Sequence, residues 1–208
     1  MRGRFLTFEG GEGSGKSTLI KAVADELDKR GIELVLTREP GGTPLAETLR
    51  SMVLTPETGM EPGAMAQALM VNAARRDHLE RLIKPALDEG TWVLSDRFAD
   101  STRAYQGASG ADLSDLLAIE GLVLGDSHPD LTFVLDAPPE ALLERRIKRG
   151  SLADTFEDAP MAFHQDIRQR FLGIAKTDPK RYVVLDALNA PDALRDEVLE
   201  IIAERFGS

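Results

Sequence analysis

The chain has 208 residues, 42% hydrophobic and 29% charged, which suits one well-buried, soluble globular domain. It has no cysteine, which excludes disulfide and thiol chemistry, and its net charge of −10 argues against a non-specific binder of nucleic acid or anionic membrane. No apolar run reaches the roughly 18 residues that span a bilayer, and "MRGRFLTFEG" carries no signal-peptide pattern, so a cytosolic, cytoplasmic protein is expected.

The first apolar run, "FLTFEG" (Phe5–Gly10), reads as a strand covered on both faces. It feeds a loop in which Gly10, Gly11, Glu12, Gly13, Ser14, Gly15, Lys16 and Ser17 match G-x-x-x-x-G-K-[ST], and Thr18 follows. A helical pattern over Lys16–Arg30 comes next, with Leu19, Ile20, Val23 and Leu27 inward. Strand, glycine loop and helix in that order make a phosphate cradle. Glycines let backbone N–H groups turn toward phosphate oxygens, and the helix N-terminus adds positive potential. Lys16 would neutralise charge on the β and γ phosphates, and Ser17 would hold Mg²⁺.

The second run is "IELVLTR" (Ile32–Arg38), followed by helical patterns over Pro44–Leu54 and Pro62–Glu89. The third, "TWVLSD" (Thr91–Asp96), ends in an Asp suited to contact Mg²⁺ directly or through water, with Arg97 beside the transferring phosphoryl group. A helix over Leu113–Leu124, the run "LTFVLDAP" (Leu131–Pro138) and helices over Pro139–Arg149 and Pro160–Lys176 come next. The run "YVVLDA" (Tyr182–Ala187) and a helix over Pro191–Arg205 complete the alternation. This pattern predicts an α/β domain over 1–208 with a parallel sheet and crossover helices. Ligands then sit beyond the carboxyl ends of the strands.

Arg38, Arg50, Arg75 and Arg97 come from four segments near that end and would gather around an anionic acceptor; each alone equally suits a solvated surface position. Arg145 and Arg149 share a helix face and lead into "GSLADTFEDAP", which suits either a lid over residues 150–160 or an exposed loop. His78, His128 and His164 lie outside any partner motif and are expected to be solvated. The N-K-x-D guanine reader and the L-S-G-G-Q signature do not occur, which turns the cradle toward phosphoryl transfer rather than switching or transport.

Four strings, "FEGGEGSGKST", "TREPGGTPLAE..LR", "DRF..STRAYQG" and "LDAPPE", together resemble bacterial thymidylate kinases over nearly the whole chain. The resemblance implies a P-loop kinase three-layer sandwich with a five-stranded parallel sheet and a short lid. It implies transfer from ATP to dTMP with Mg²⁺, on a homodimer. By position it sets Arg75 and Arg97 on the acceptor phosphate, with Arg38 and Arg50 near. Thr102, Tyr105 and Gln106 would face the nucleoside, with Tyr105 beneath the deoxyribose. Glu9 would lie near the acceptor sugar and Mg²⁺, Arg145 against adenine, and Arg149 in the lid; with Thr155 in place of the usual lid arginine, the catalytic duty beside Lys16 and Arg97 falls to Arg149 or Arg146. Glu12 resembles relatives that draw this cation from the lid.

Two positions depart from the family pattern. Val71 stands where a phenylalanine commonly stacks on thymine, and Thr155 where the lid commonly has arginine. A kinase for another monophosphate or a deoxynucleoside, or a regulatory P-loop protein, are the alternatives.

Overall fold

The computed structural model describes residues 2–57, 59–149 and 159–207. Five strands form one parallel sheet in the order β2–β3–β1–β4–β5. They are β1 Phe5–Gly10, β2 Leu34–Arg38, β3 Trp92–Asp96, β4 Leu131–Asp136 and β5 Tyr182–Asp186. All four pairings are parallel, and β1 is central, its Phe8 opposite Asp96 on one side and Phe133 on the other. The connection from β3 to β4 crosses β1, so the chain changes direction around that strand. A crevice opens beyond the carboxyl ends at such a point.

The helices are α1 Lys16–Lys29, α2 Pro44–Leu54, α3 Ala64–His78, α4 Lys84–Asp88, α5 Ala99–Ala108, α6 Leu113–Leu124, α7 Pro139–Arg149, α8 Met161–Ala175 and α9 Pro191–Phe206. Leu6 and Phe8 of β1 pack with Leu19, Val23 and Leu27 of α1 and Val198 and Ile202 of α9. On the other face, Tyr105, Ile167 and Phe171 form one buried cluster and Phe5, Leu79, Ile83 and Phe98 another. Sheet and two helical layers thus form the expected three-layer α/β sandwich.

Local chemistry sets the ends of two helices. Thr43 caps α2 by accepting from the Ala46 N–H, with Pro44 in the first turn. Gly31 ends α1 at φ 78, donating to the Asp28 carbonyl. Two features differ from the sequence reading. The helix expected over 62–89 is interrupted by a π-helical turn, Leu79–Ile83, just before Pro85. Proline lacks a donor and its ring crowds the preceding turn, which a wider turn relieves. Helix α5 had no sequence signal because its buried face includes Asp100, Thr102 and Gln106, so it shows no apolar stripe.

Candidate functional site

The cradle is assembled by backbone geometry at the end of β1. Gly10 has φ 133, and a Cβ there would meet the Leu135 carbonyl oxygen at 2.4 Å. Gly15 (φ 95) precedes α1, whose N-terminus faces the loop. Ser14 is buried within it. Lys16 Nζ donates to the carbonyls of Gly10 (3.1 Å) and Gly11 (3.0 Å). Burial lowers its pKa, with Arg97 adding to the effect. Ser17 Oγ donates to Asp96 Oδ2 at 2.6 Å, joining β3 to the cradle.

A cavity of ≈ 320 Å³ opens beside this loop, lined by Glu12, Gly13, Gly15, Lys16, Ser17 and Thr18 from the cradle. Arg38, Arg50, Arg75 and Arg97 all line it as well, with Val71, Asp96, Thr102, Tyr105 and Gln106. The four arginines expected to meet beyond the sheet do meet there. Each already has a partner. Arg38 forks onto both oxygens of Glu47 (2.9 Å each), and Arg50 donates to the Pro40 carbonyl (2.7 Å).

Arg97 has φ 72, a conformation costly outside glycine and typical of functional positions. It directs the side chain back over the cradle, where Nη2 donates to Glu12 Oε1 (2.5 Å) and Tyr105 Oη (3.0 Å), and Nη1 to the Gly10 carbonyl (2.9 Å). Burial alone would raise the Glu12 carboxyl, but Arg97 and Lys16 outweigh it and hold it at about 2. Glu12 is therefore an anion seated where phosphate oxygens would otherwise engage the same cations.

Arg75 is buried to 1% exposure. Its Nε donates to Glu39 Oε2 (2.6 Å), Nη1 to Asn72 Oδ1 (2.9 Å), and Nη2 to the Phe98 carbonyl and Thr102 Oγ1 (3.1 Å each). Those partners occupy four of the five guanidinium N–H donors. Arg75 is thus a fixed wall of the cleft. Gln106, which lines the cavity, donates through Nε2 to Gln67 Oε1 at 3.3 Å, and Val71 belongs to the buried cluster with Val53, Tyr105 and Phe171.

Some expected residues lie elsewhere. Glu9 does not line the cavity but stands behind it, accepting from the N–H groups of Phe98 (2.8 Å) and Ser101 (3.3 Å) and from Ser101 Oγ (2.6 Å). Burial and the Asp100 carboxylate push its carboxyl up to about 7, against the pull of Arg97 and these hydrogen bonds. Arg145 ties α7 to the loop after β5 through the Ala187 carbonyl (2.7 Å) and does not line the cavity. The Arg149 side chain and residues 150–158 of the expected lid lie outside the described residues.

Sequence reasoning missed His78. It is fully buried rather than solvated, and it bonds Glu39 and Thr37. Its recurrence on the buried face of α3 with Val71 and Arg75 was the available signal. His164, next to Phe163, is half-buried, and His128 is exposed as expected.

The Ser17 hydroxyl and Asp96 carboxylate suit Mg²⁺, a hard cation that takes few protein oxygens and fills its remaining positions with phosphate and water. Among the described residues no group of three or more metal-ligating side chains occurs. No helix among them is long and apolar enough to cross a membrane.

Residues 8–198 match the family model described as thymidylate kinase. A thymidylate kinase of Bradyrhizobium sp. (strain ORS 278) is 50% identical over 99% of this chain and 92% of its own. One from Nitrobacter hamburgensis is 51% identical over 96% and 91%. The crystal structure of thymidylate kinase from Ehrlichia chaffeensis superposes with a TM-score of 0.80 at 33% identity, over 97% of this chain and all of that one. A P-loop opening onto an arginine-lined cleft and this likeness along nearly the whole length lead to one conclusion: the chain belongs to the thymidylate kinase family.

Proposed function

We propose that this protein is a nucleoside monophosphate kinase that transfers the γ-phosphoryl group of ATP to dTMP, giving ADP and dTDP. One observation carries the reading: four arginines from separate segments line the cavity that the P-loop opens onto. A hydrolase needs room only for water, whereas this cleft offers cationic walls for a second anion.

The acceptor phosphate oxygen is already a competent nucleophile at neutral pH, so the protein's work is positioning and charge neutralisation. Gly10 to Thr18 cradle the donor phosphates. Lys16 exchanges its carbonyl partners for phosphate oxygens. Arg97 leaves Glu12 to clamp the acceptor phosphate, with Arg38 and Arg50 close by and Arg75 fixed beside it. Thr102, Val71 and Gln106 surround the base, Tyr105 lies against the sugar, and Glu9 holds the start of α5 in place. Ser17 and Asp96 would hold Mg²⁺, which would supply positive charge to neutralise the donor phosphates. Arg145 contributes to the adenine side, and Arg149 supplies a further cation from the lid at about 150–160.

The whole chain acts as one kinase domain in the cytoplasm, without nucleic-acid or membrane partners. It works as a homodimer. Leu69 of α3 and Leu113, Leu117 and Leu122 of α6 are exposed, Leu122 to 82%. Burying such side chains favours association by roughly 1.5–3 kcal/mol each. Leu122→Glu is expected to shift the protein toward monomer in sedimentation velocity.

Incubation with Mg·ATP and a panel of nucleosides and monophosphates tests the reaction. dTDP from dTMP is the expected product. Turnover of another acceptor with none of dTMP would overturn the substrate, and phosphate release alone would overturn the kinase.

A further inference from the structure

Behind the arginine-lined wall, a largely buried chain of polar groups joins β2, the loop after it and α3. Thr37 of β2 contacts His78 Nε2 at 2.7 Å, and His78 Nδ1 contacts Glu39 Oε1 at 3.0 Å. The other oxygen of Glu39 accepts from Arg75 Nε at 2.6 Å. Glu39, Arg75 and His78 are 3%, 1% and 0% exposed. The loop closes over the ring: a Cβ on Gly42 (φ +89) would lie 2.5 Å from His78 Nε2.

The directions follow from the partners. A carboxylate only accepts, so Nδ1 carries a proton and donates to Glu39. In the neutral ring Nε2 then accepts from the Thr37 hydroxyl. Both ring nitrogens of His78 thus have a partner. Glu39 meets Arg75 through one oxygen only. Its other oxygen is held by His78, and without that hold the carboxylate is free to rotate about its terminal bond. Arg75 faces the acceptor cavity, whereas His78 does not reach it.

We propose that His78 is a positioning residue for the acceptor side of the reaction, acting through Glu39 to fix the Arg75 guanidinium. This rests on the kinase reading above. It requires the Nδ1–Glu39 link specifically, and not merely a filled space at the end of α3. Two amide substitutions divide the ring's contacts. Asparagine places a donor near the Nδ1 position, and glutamine places its amide near the Nε2 position. His78→Asn therefore keeps the Glu39 link and His78→Gln keeps the Thr37 link.

The expected outcome is that H78Q raises the KM for dTMP about ten- to hundredfold, the range of one charge-assisted hydrogen bond. The KM for ATP stays within about twofold, and H78N restores the dTMP value to within about threefold of the parent. A second readout needs no turnover: the ¹H–¹⁵N signal of the buried Arg75 Nε–H in the ligand-free protein. It should remain protected and distinct in the parent and H78N, and broaden or merge with exposed arginines in H78Q. Should H78Q melt too low to assay, Thr37→Val removes the outer bond alone and is expected to raise the dTMP KM about two- to fivefold. Equal losses in H78N and H78Q, equal changes in both KM values, or an unchanged Arg75 signal in H78Q would overturn the assignment. Turnover of dTMP by the parent enzyme tests the kinase reading separately, because the Arg75 signal does not depend on it.

Discussion

The P-loop cradle takes Gly10 to Thr18 from one continuous loop, while the proposed acceptor wall takes Arg38, Arg50, Arg75 and Arg97 from four segments of the chain. The cradle works through backbone N–H groups and a helix terminus, which glycine spacing arranges locally. The wall works through side chains, each held by its own partner. Their carboxylates differ in the same sense. Glu12 in the cradle lies between two cations and is held ionised at about 2. Glu9 behind the wall is buried beside Asp100 and pushed up to about 7. A local motif can thus be ready for its ligand on its own, whereas a wall assembled from distant segments depends on buried charges that must remain paired.

The largest effect should come from the wall. Arg75→Met leaves Glu39 buried without its cation and should cost about 3–5 kcal/mol of stability, read by chemical denaturation. Next is the cradle. Lys16→Met should lower kcat roughly 10²–10³-fold with melting nearly unchanged, since its present partners are two carbonyls and the Ser14 hydroxyl, which phosphate or water can replace. If the two substitutions affected stability equally, the contrast between wall and cradle would be lost.

Glu9→Gln tests the buried carboxylate through pH. A carboxyl whose folded pKa lies above its ordinary 4.5 binds its proton more tightly when folded, so its contribution to stability falls as pH rises from 4.5 through about 7. E9Q should therefore gain on the parent in melting temperature by roughly 2–4 °C or more between about pH 5 and pH 8. Glu12 has the opposite sign. Its stabilisation is present above 4.5 and fades as pH falls toward about 2. A pH-independent gap for E9Q would contradict the burial argument.

The smallest effect is expected at the base. Val71→Phe should leave the dTMP KM unchanged or lower it by up to about tenfold, the worth of an added aromatic contact. A large rise would mean that the pocket is closed around valine, which packs there with Val53 and Tyr105.

The sequence alone determined what is local. The strands, the P-loop, and Ser17 and Asp96 as Mg²⁺-side residues were legible because each depends on neighbours along the chain or on a fixed order of elements. Family likeness added the acceptor residues by position. The tertiary structure decided what burial controls. Helix α5 became visible only once the cleft behind it explained why its inner face is polar. His78 moved from solvent to the core because Glu39 and Thr37 meet it across more than thirty residues of chain. Glu9 and Glu12 stand three residues apart and look alike as letters. Only their surroundings, a desolvated pocket beside Asp100 for one and two adjacent cations for the other, separate a carboxyl titrating near neutrality from one that stays charged.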